Sequence, residues 1–180
     1  MKRLTLLSTL ACFLLLGGHV LGQSRMQQLY SQAFQYQRQY KPDSALICIE
    51  AMLSIDSTFV PAWNLKGYLY EESYADYDRA RQCYEKALDI APRYLKSYIN
   101  LSHLHYLKRE YDAAEKLVRK ALEIDSTYAD AYFNLGLMAN EQHYLREAFV
   151  HMRKAAELGS KPAKLWLENN DNDGPMQHNN

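Results

Sequence analysis

Between residues 26 and 162, apolar and small side chains return at helical spacing, in stretches parted by short polar breaks. Val60 to Tyr94 shows the pattern most clearly. Ala62, Trp63, Leu65, Leu69 and Tyr70 form one stripe, and Tyr74-Ala75-Asp76 interrupts it. A second stripe of Tyr77, Ala80, Tyr84, Ala87, Leu88 and Ile90 follows before Pro92 closes the unit. The spacing predicts two amphipathic helices, the second capped by Asp76. Neither helix can bury its apolar face alone, so the pair should close as a hairpin and stack on its neighbours.

The same pattern recurs along the chain. Ile55-Asp56-Ser57-Thr58 returns unchanged as Ile124-Asp125-Ser126-Thr127, 69 residues later, and Ala87-Leu88-Asp89-Ile90 stands between them, 34 residues before Ala121-Leu122-Glu123-Ile124. A period of about 34 residues marks a stacked-helix array. Small residues recur where paired helices must cross closely. Ala33, Gly67, Ser102 and Gly136 mark the first helices; Ala45, Ala80, Ala114 and Ala148 come early in the second, and Ala87, Ala121 and Ala155 later in it. Larger side chains there would overfill the contact. Leu29, Trp63, Tyr98 and Tyr132, with Ile49, Tyr84, Val118 and Met152, are the bulky fillers between.

Trp63…Gly67…Tyr70…Ala80…Tyr84…Ala87…Pro92 resembles the tetratricopeptide repeat (TPR) family pattern with one extra loop residue. Tyr98…Leu101-Ser102…Tyr111…Ala114…Ala121 and Tyr132…Leu135-Gly136…Ala148…Ala155 follow it at the same period. The copy at 26–59 is the most divergent, with Met52 where alanine is usual and Pro42 opening its second helix. Lys66 replaces the usual leucine, its stem lying on the stripe and its amine reaching water. The resemblance implies an all-α fold, an α-solenoid wound as a right-handed superhelix. Its four repeats are 26–59, 60–94, 95–128 and 129–162. A capping helix at 163–170 would begin at Pro162 and use Leu165 and Trp166 to cover the last hairpin. Residues 171–180 are rich in Asn and Asp and are expected to be a disordered tail.

The resemblance also implies a concave groove lined by the first helices, which in this family mostly takes peptides or protein segments. By motif, its residues are Tyr30, Phe34 and Gln37, then Asn64, Tyr68 and Glu71. Lys96, Ile99, Asn100, His103 and Tyr106 follow, and Asp130, Phe133, Asn134, Leu137 and Glu141 complete it. The partner-binding set is expected in Tyr30, Phe34, Asn64, Tyr68, Lys96, Asn100, His103, Phe133 and Asn134. Asn100 and Asn134 stand where family members often hold a peptide backbone, an amide both donating and accepting, although asparagine is common there without a ligand. The family's clamp for a C-terminal carboxylate is poorly matched: Tyr30, Phe34, Asp130 and Asn134 occupy places that would need basic or amide groups, and Lys96 alone is no clamp. Aromatic surface is what the groove offers, from a chain with 15 tyrosines. Several of these rings could equally pack between helices.

The ends change the setting. Lys2 and Arg3 precede a mostly apolar run from Leu4 to Leu21, and Val20-Leu21-Gly22 offers small residues for cleavage before Gln23. Residues 1–22 therefore read as a secretory signal, or, uncut, as a membrane anchor. Without them 19 basic and 21 acidic residues remain, near neutrality and unlike a nucleic-acid binder. Cys48 and Cys83 fall at matching places in successive repeats, where helices about 10 Å apart exceed the roughly 7 Å a bridge can span. They read as small buried apolar residues rather than a disulfide. His103 and His105 point to different faces, and His143 and His151 lack a third ligand, so no metal is expected; His105 reads as core filling. No cofactor motif or nucleophile with a base is present. The expected function is an exported, non-enzymatic scaffold for a protein partner in a bacterial periplasm or envelope. An envelope scaffold anchored by residues 4–21 and a carbohydrate-binding solenoid are the alternatives.

Overall fold

The computed structural model describes residues 24–170, so the expected secretory segment and C-terminal tail lie outside the described residues. Everything regular in that range is α-helix. The described residues divide into two compact units, the first ending at Asp76 and the second beginning at Tyr77. The first holds α1 (24–38), α2 (Pro42–Ile55) and α3 (Val60–Tyr74). The second holds α4 (Tyr77–Ile90), α5 (Leu95–Leu107), α6 (Tyr111–Ile124), α7 (Ala129–Glu141), α8 (Leu145–Glu157) and α9 (Lys161–Asn170).

In the first unit, Leu29 and Ala33 of α1 meet Ala45, Ile49 and Met52 of α2 and Leu65 and Leu69 of α3 in one buried cluster. Met52, the substitution for alanine, is fully buried, its unbranched chain filling the space that a smaller residue would leave. In the second unit, Ile99, Val118, Ala121, Leu135 and Met138 join α5, α6 and α7. Met152, Ala155 and Ala163 carry the packing from α8 to α9. The small residues expected at the crossings are closed off from water: Ala33, Ala80, Ala87, Ala114, Ala121, Ala148 and Ala155 are each 0 % exposed.

Two kinds of turn join the helices. The turns after α1, α3, α5 and α7 each place one non-glycine residue in the left-handed region: Tyr40 (φ 55°), Ala75 (φ 50°), Arg109 (φ 60°) and His143 (φ 62°). Their 34- or 35-residue spacing is the repeat period. The next backbone N–H then reaches back to the helix, as from Glu110 to the His105 carbonyl at 3.0 Å and from Tyr144 to that of Ala139 at 2.8 Å. These bonds satisfy carbonyls that the helix end leaves open.

The second kind holds the Ile-Asp-Ser-Thr echo. Asp56 Oδ1 accepts the Thr58 N–H at 2.8 Å and the Thr58 hydroxyl at 2.7 Å, and Asp125 does the same with Thr127. Those bonds hold both carboxyls below the usual carboxylate range. An aromatic side chain from the next helix then latches each such turn. Trp63 Nε1 donates to the Ser57 carbonyl at 2.8 Å, and the hydroxyls of Tyr98 and Tyr132 donate to the Pro92 and Ser126 carbonyls at 3.1 Å. Trp63, Tyr98 and Tyr132 thus fill space and also bind the loop.

Several expectations need correction. The Lys66 amine is not free in water: it lies 2.6 Å from Glu50 Oε1 on α2 and 5.2 Å from the Trp63 ring centre. His105 is only partly buried, its Nδ1 2.6 Å from Glu110 Oε2, because the tight turn after α5 brings that carboxylate back onto it. Ser160, not Pro162, heads α9: its Oγ accepts the Ala163 N–H at 3.3 Å, leaving Pro162 as the second helical residue. Leu165 is 58 % exposed because the inward stripe of α9 runs instead through Ala163, Trp166 and Leu167. Trp166 meets Phe149 edge-to-face at 5.0 Å, so its share of the capping role stands. Cys48 and Cys83 are buried and not joined in a disulfide, and burial pushes the Cys48 thiol pKa up.

Candidate partner-binding surfaces

In the first unit, α1 and α3 expose aromatic side chains beside residues that pack into the core. Leu29 and Ala33 turn inward, leaving Phe34 41 % exposed. Tyr30 is half-buried between two rings, edge-to-face with Phe34 at 5.0 Å and with Phe59 at 6.2 Å. Burial raises its hydroxyl pKa. One period later, Leu65 and Leu69 turn inward and Tyr68 is left 37 % exposed. Its hydroxyl is pushed up by burial first, then by the carboxylates of Glu72 and Glu71. Asn64 is half-buried. Glu71, expected on the open face, is only 6 % exposed. It therefore acts on the surface through its charge more than through contact.

In the second unit, α5 and α7 carry the corresponding residues. Lys96 is exposed, and Asn100 and His103 are half-buried. The His103 ring stacks on Tyr106 at 5.9 Å with an 18° tilt. Burial raises the Tyr106 hydroxyl pKa, and so does Glu141 of α7, whose carboxylate accepts its hydrogen bond; Arg109 pulls the other way. Ile99 departs from expectation: at 8 % exposure it belongs to the core between α5, α6 and α7. Phe133 and Leu137 pack against the α8–α9 cluster of Met152, Ala155 and Ala163. Asn134 uses Nδ2 within its own helix, donating to the Asp130 carbonyl at 2.8 Å. The Asp130 carboxylate accepts from Tyr128, whose hydroxyl is held far above its ordinary value by burial and then by that carboxylate.

The structure therefore brings Tyr30 and Phe34 into contact and leaves Tyr68 open on the same unit. It stacks His103 on Tyr106, whose hydroxyl donates to Glu141, and draws Phe133 partly into the core. Glu72 was the acidic partner that sequence reasoning missed. Glu141 was expected on the groove face, but Glu72 follows Tyr68 by about one turn, and helical spacing alone reads the Glu71-Glu72 pair as a solvated helix end. Chemically these faces offer ring surface, amides and carboxylates. Among the described residues, no group of three or more His, Cys, Asp or Glu side chains is placed to hold a metal ion. Among the same residues, no helix is long and apolar enough to cross a membrane.

Comparison with known structures places this architecture. The chain is similar to MamA, with 22 % identity over 77 % of this chain and 81 % of that one at a TM-score of 0.59. It is similar to PilF of Pseudomonas aeruginosa, with 18 % identity over 84 % and 71 % and a TM-score of 0.69. The first TPR of Spaghetti (RPAP3), solved bound to the HSP90 peptide SRMEEVD, shares 23 % identity over 66 % and 94 % with a TM-score of 0.55. No curated protein sequence matches. These likenesses establish an all-α solenoid of the TPR type. The family model of the tetratricopeptide repeat protein 21 second ARM domain matches residues 23–155, and the chain belongs to that family of TPR-type helical repeats.

Proposed function

We propose that this protein is a non-enzymatic interaction scaffold that binds a segment of another protein on the faces of its first helices, α1 and α3 in one unit and α5 and α7 in the other. The observation that carries the reading is the pair Phe34 and Tyr68. They stand 34 residues apart, at the same place in successive repeats, and both keep their rings in water while neighbouring Leu29, Leu65 and Leu69 are buried. Two aromatic rings kept at an exposed repeat position suit an interface, because such rings bury large area at small entropic cost. The HSP90 peptide bound to the first TPR of RPAP3 supports peptide binding as a use of this fold. The repeat bounds in this reading are 26–59, 60–94, 95–128 and 129–162, capped by 163–170.

Export belongs to the same reading. The basic start at Lys2 and Arg3, the apolar run and the small residues before Gln23 fit a secretory signal, which would put the scaffold in a bacterial periplasm or envelope. The length of the run from Leu4 to Leu21 favours one second reading, in which it stays as an anchor. N-terminal sequencing separates the two: a start at Gln23 excludes the anchor. Binding is tested by combining Tyr68→Ala with Asn100→Ala, one change in each unit. Partner capture should be lost while the thermal melt stays nearly unchanged; loss of folding instead would assign these residues to the core.

A further inference from the structure

The aromatic face of the first unit is not electrically neutral where it is most open. Tyr68 is followed within about one helical turn by Glu71, buried, and Glu72, exposed. The charged groups that act on the Tyr68 hydroxyl are these two carboxylates. The cations of α1, Arg25 and Arg38, are exposed near its two ends. A tyrosine ring attracts cations through its negative face, and neighbouring carboxylates deepen that attraction. The second unit repeats the pairing, with Tyr106 donating to Glu141.

We infer that the α1–α3 face takes a partner segment that lays an arginine on the Tyr68 ring beside the exposed Glu72 and an apolar residue on the Tyr30–Phe34 pair. This rests on the interaction reading above and gives it a chemistry. Arginine fits better than lysine because its planar guanidinium stacks on a ring while its N–H groups reach carboxylates. An acidic segment is disfavoured by the same charges. The edge-to-face pair at 5.0 Å gives the neighbouring apolar residue a fixed floor.

The test is fluorescence anisotropy of the full chain with short labelled peptides that alternate leucine with arginine, with glutamine or with glutamate. The arginine peptide should bind tightest and the glutamate peptide weakest, the preference shrinking as salt rises. Glu72→Gln should weaken the arginine peptide about two- to fivefold and leave the glutamine peptide unchanged. Tyr68→Ala should weaken the arginine peptide by a similar two- to fivefold or so, with the circular dichroism melt unaltered. Glutamate binding as tightly as arginine overturns the proposal. Equal binding of the arginine and glutamine peptides, both weakened by Tyr68→Ala, overturns the cationic preference but leaves the surface as the binding face. Failure of Tyr68→Ala to affect any peptide, or no binding by any of the three, removes both.

Discussion

Gly136→Ala pits two effects of known size against each other. Gly136 lies inside α7, where alanine is favoured over glycine by about 1 kcal/mol. A Cβ built there, however, would stand 2.9 Å from Met152 Cε and 3.0 Å from its Cγ and Sδ. The methyl end of methionine can swing away, but Cγ is one bond from Cβ and moves only if the whole side chain changes rotamer. Met152 is 0 % exposed and packed with Ala155 and Ala163, so no space waits for it. Overfilling a close-packed contact costs about 1–3 kcal/mol, which exceeds the helical gain. The net expectation is a loss of about 1 kcal/mol, or a fall in Tm of roughly 2–4 °C for a chain of this size. Urea denaturation of a double-mutant cycle isolates the cause. Met152→Ala alone should lose about 2–5 kcal/mol, and in that background Gly136→Ala should become stabilising by about 1 kcal/mol. A higher denaturation midpoint for Gly136→Ala in the natural background would refute the close-crossing argument.

Three further outcomes follow from the turns and from α8. Tyr132→Phe removes the hydroxyl that donates to the Ser126 carbonyl at 3.1 Å and should cost about 1 kcal/mol by urea denaturation; an unchanged midpoint means that the latch adds nothing beyond ring packing. His143→Gly relieves a non-glycine residue held at φ 62°, and should stabilise by up to about 1 kcal/mol, read as a rise in Tm; a fall contradicts the strain. The pKa of His151 is lowered from 6.5 mainly by burial, with Arg119 adding to this and Glu147 and Glu115 opposing it. Because the folded form takes up this proton less readily than the unfolded one, the stabilisation is present above pH 6.5 and is lost as pH falls through the lower folded value. Melts from neutral pH to about pH 5 should therefore be flatter for His151→Gln than for the natural chain, and identical slopes would remove the assignment.

The helices and their crossings were legible because they depend on local periodicity and residue size. Small residues 34 apart can mean little but repeated close packing, and the buried alanines of α4, α6 and α8 follow that reasoning directly. What the sequence concealed depends on chain reversal. Glu110 follows His105 by five residues and would point elsewhere on a continuous helix; only the left-handed Arg109 brings it back. The tight turns after α1, α3, α5 and α7 use Tyr40, Ala75, Arg109 and His143, none of them glycine, so the usual mark of a left-handed residue was missing there, whereas Gly159 carries it after α8. The candidate surface was legible as far as position. Phe34 and Tyr68 were expected on an open face and are exposed, whereas Phe133 and Ile99 were assigned the same face by the same rule. Ile99 is enclosed between α5, α6 and α7 and Phe133 packs partly against the α8–α9 cluster, which a single-helix pattern cannot weigh.

Site-specific photocrosslinking in the native cell tests the central claim most directly. A photoreactive phenylalanine analogue placed at Tyr68, or at the outward Ile47 of α2, which is 70 % exposed, samples two different surfaces of the first unit. A binding face on α1 and α3 predicts a discrete crosslinked protein from position 68 and none from position 47. Crosslinks from position 47 alone would contradict it and move the binding surface to the other side of the repeat.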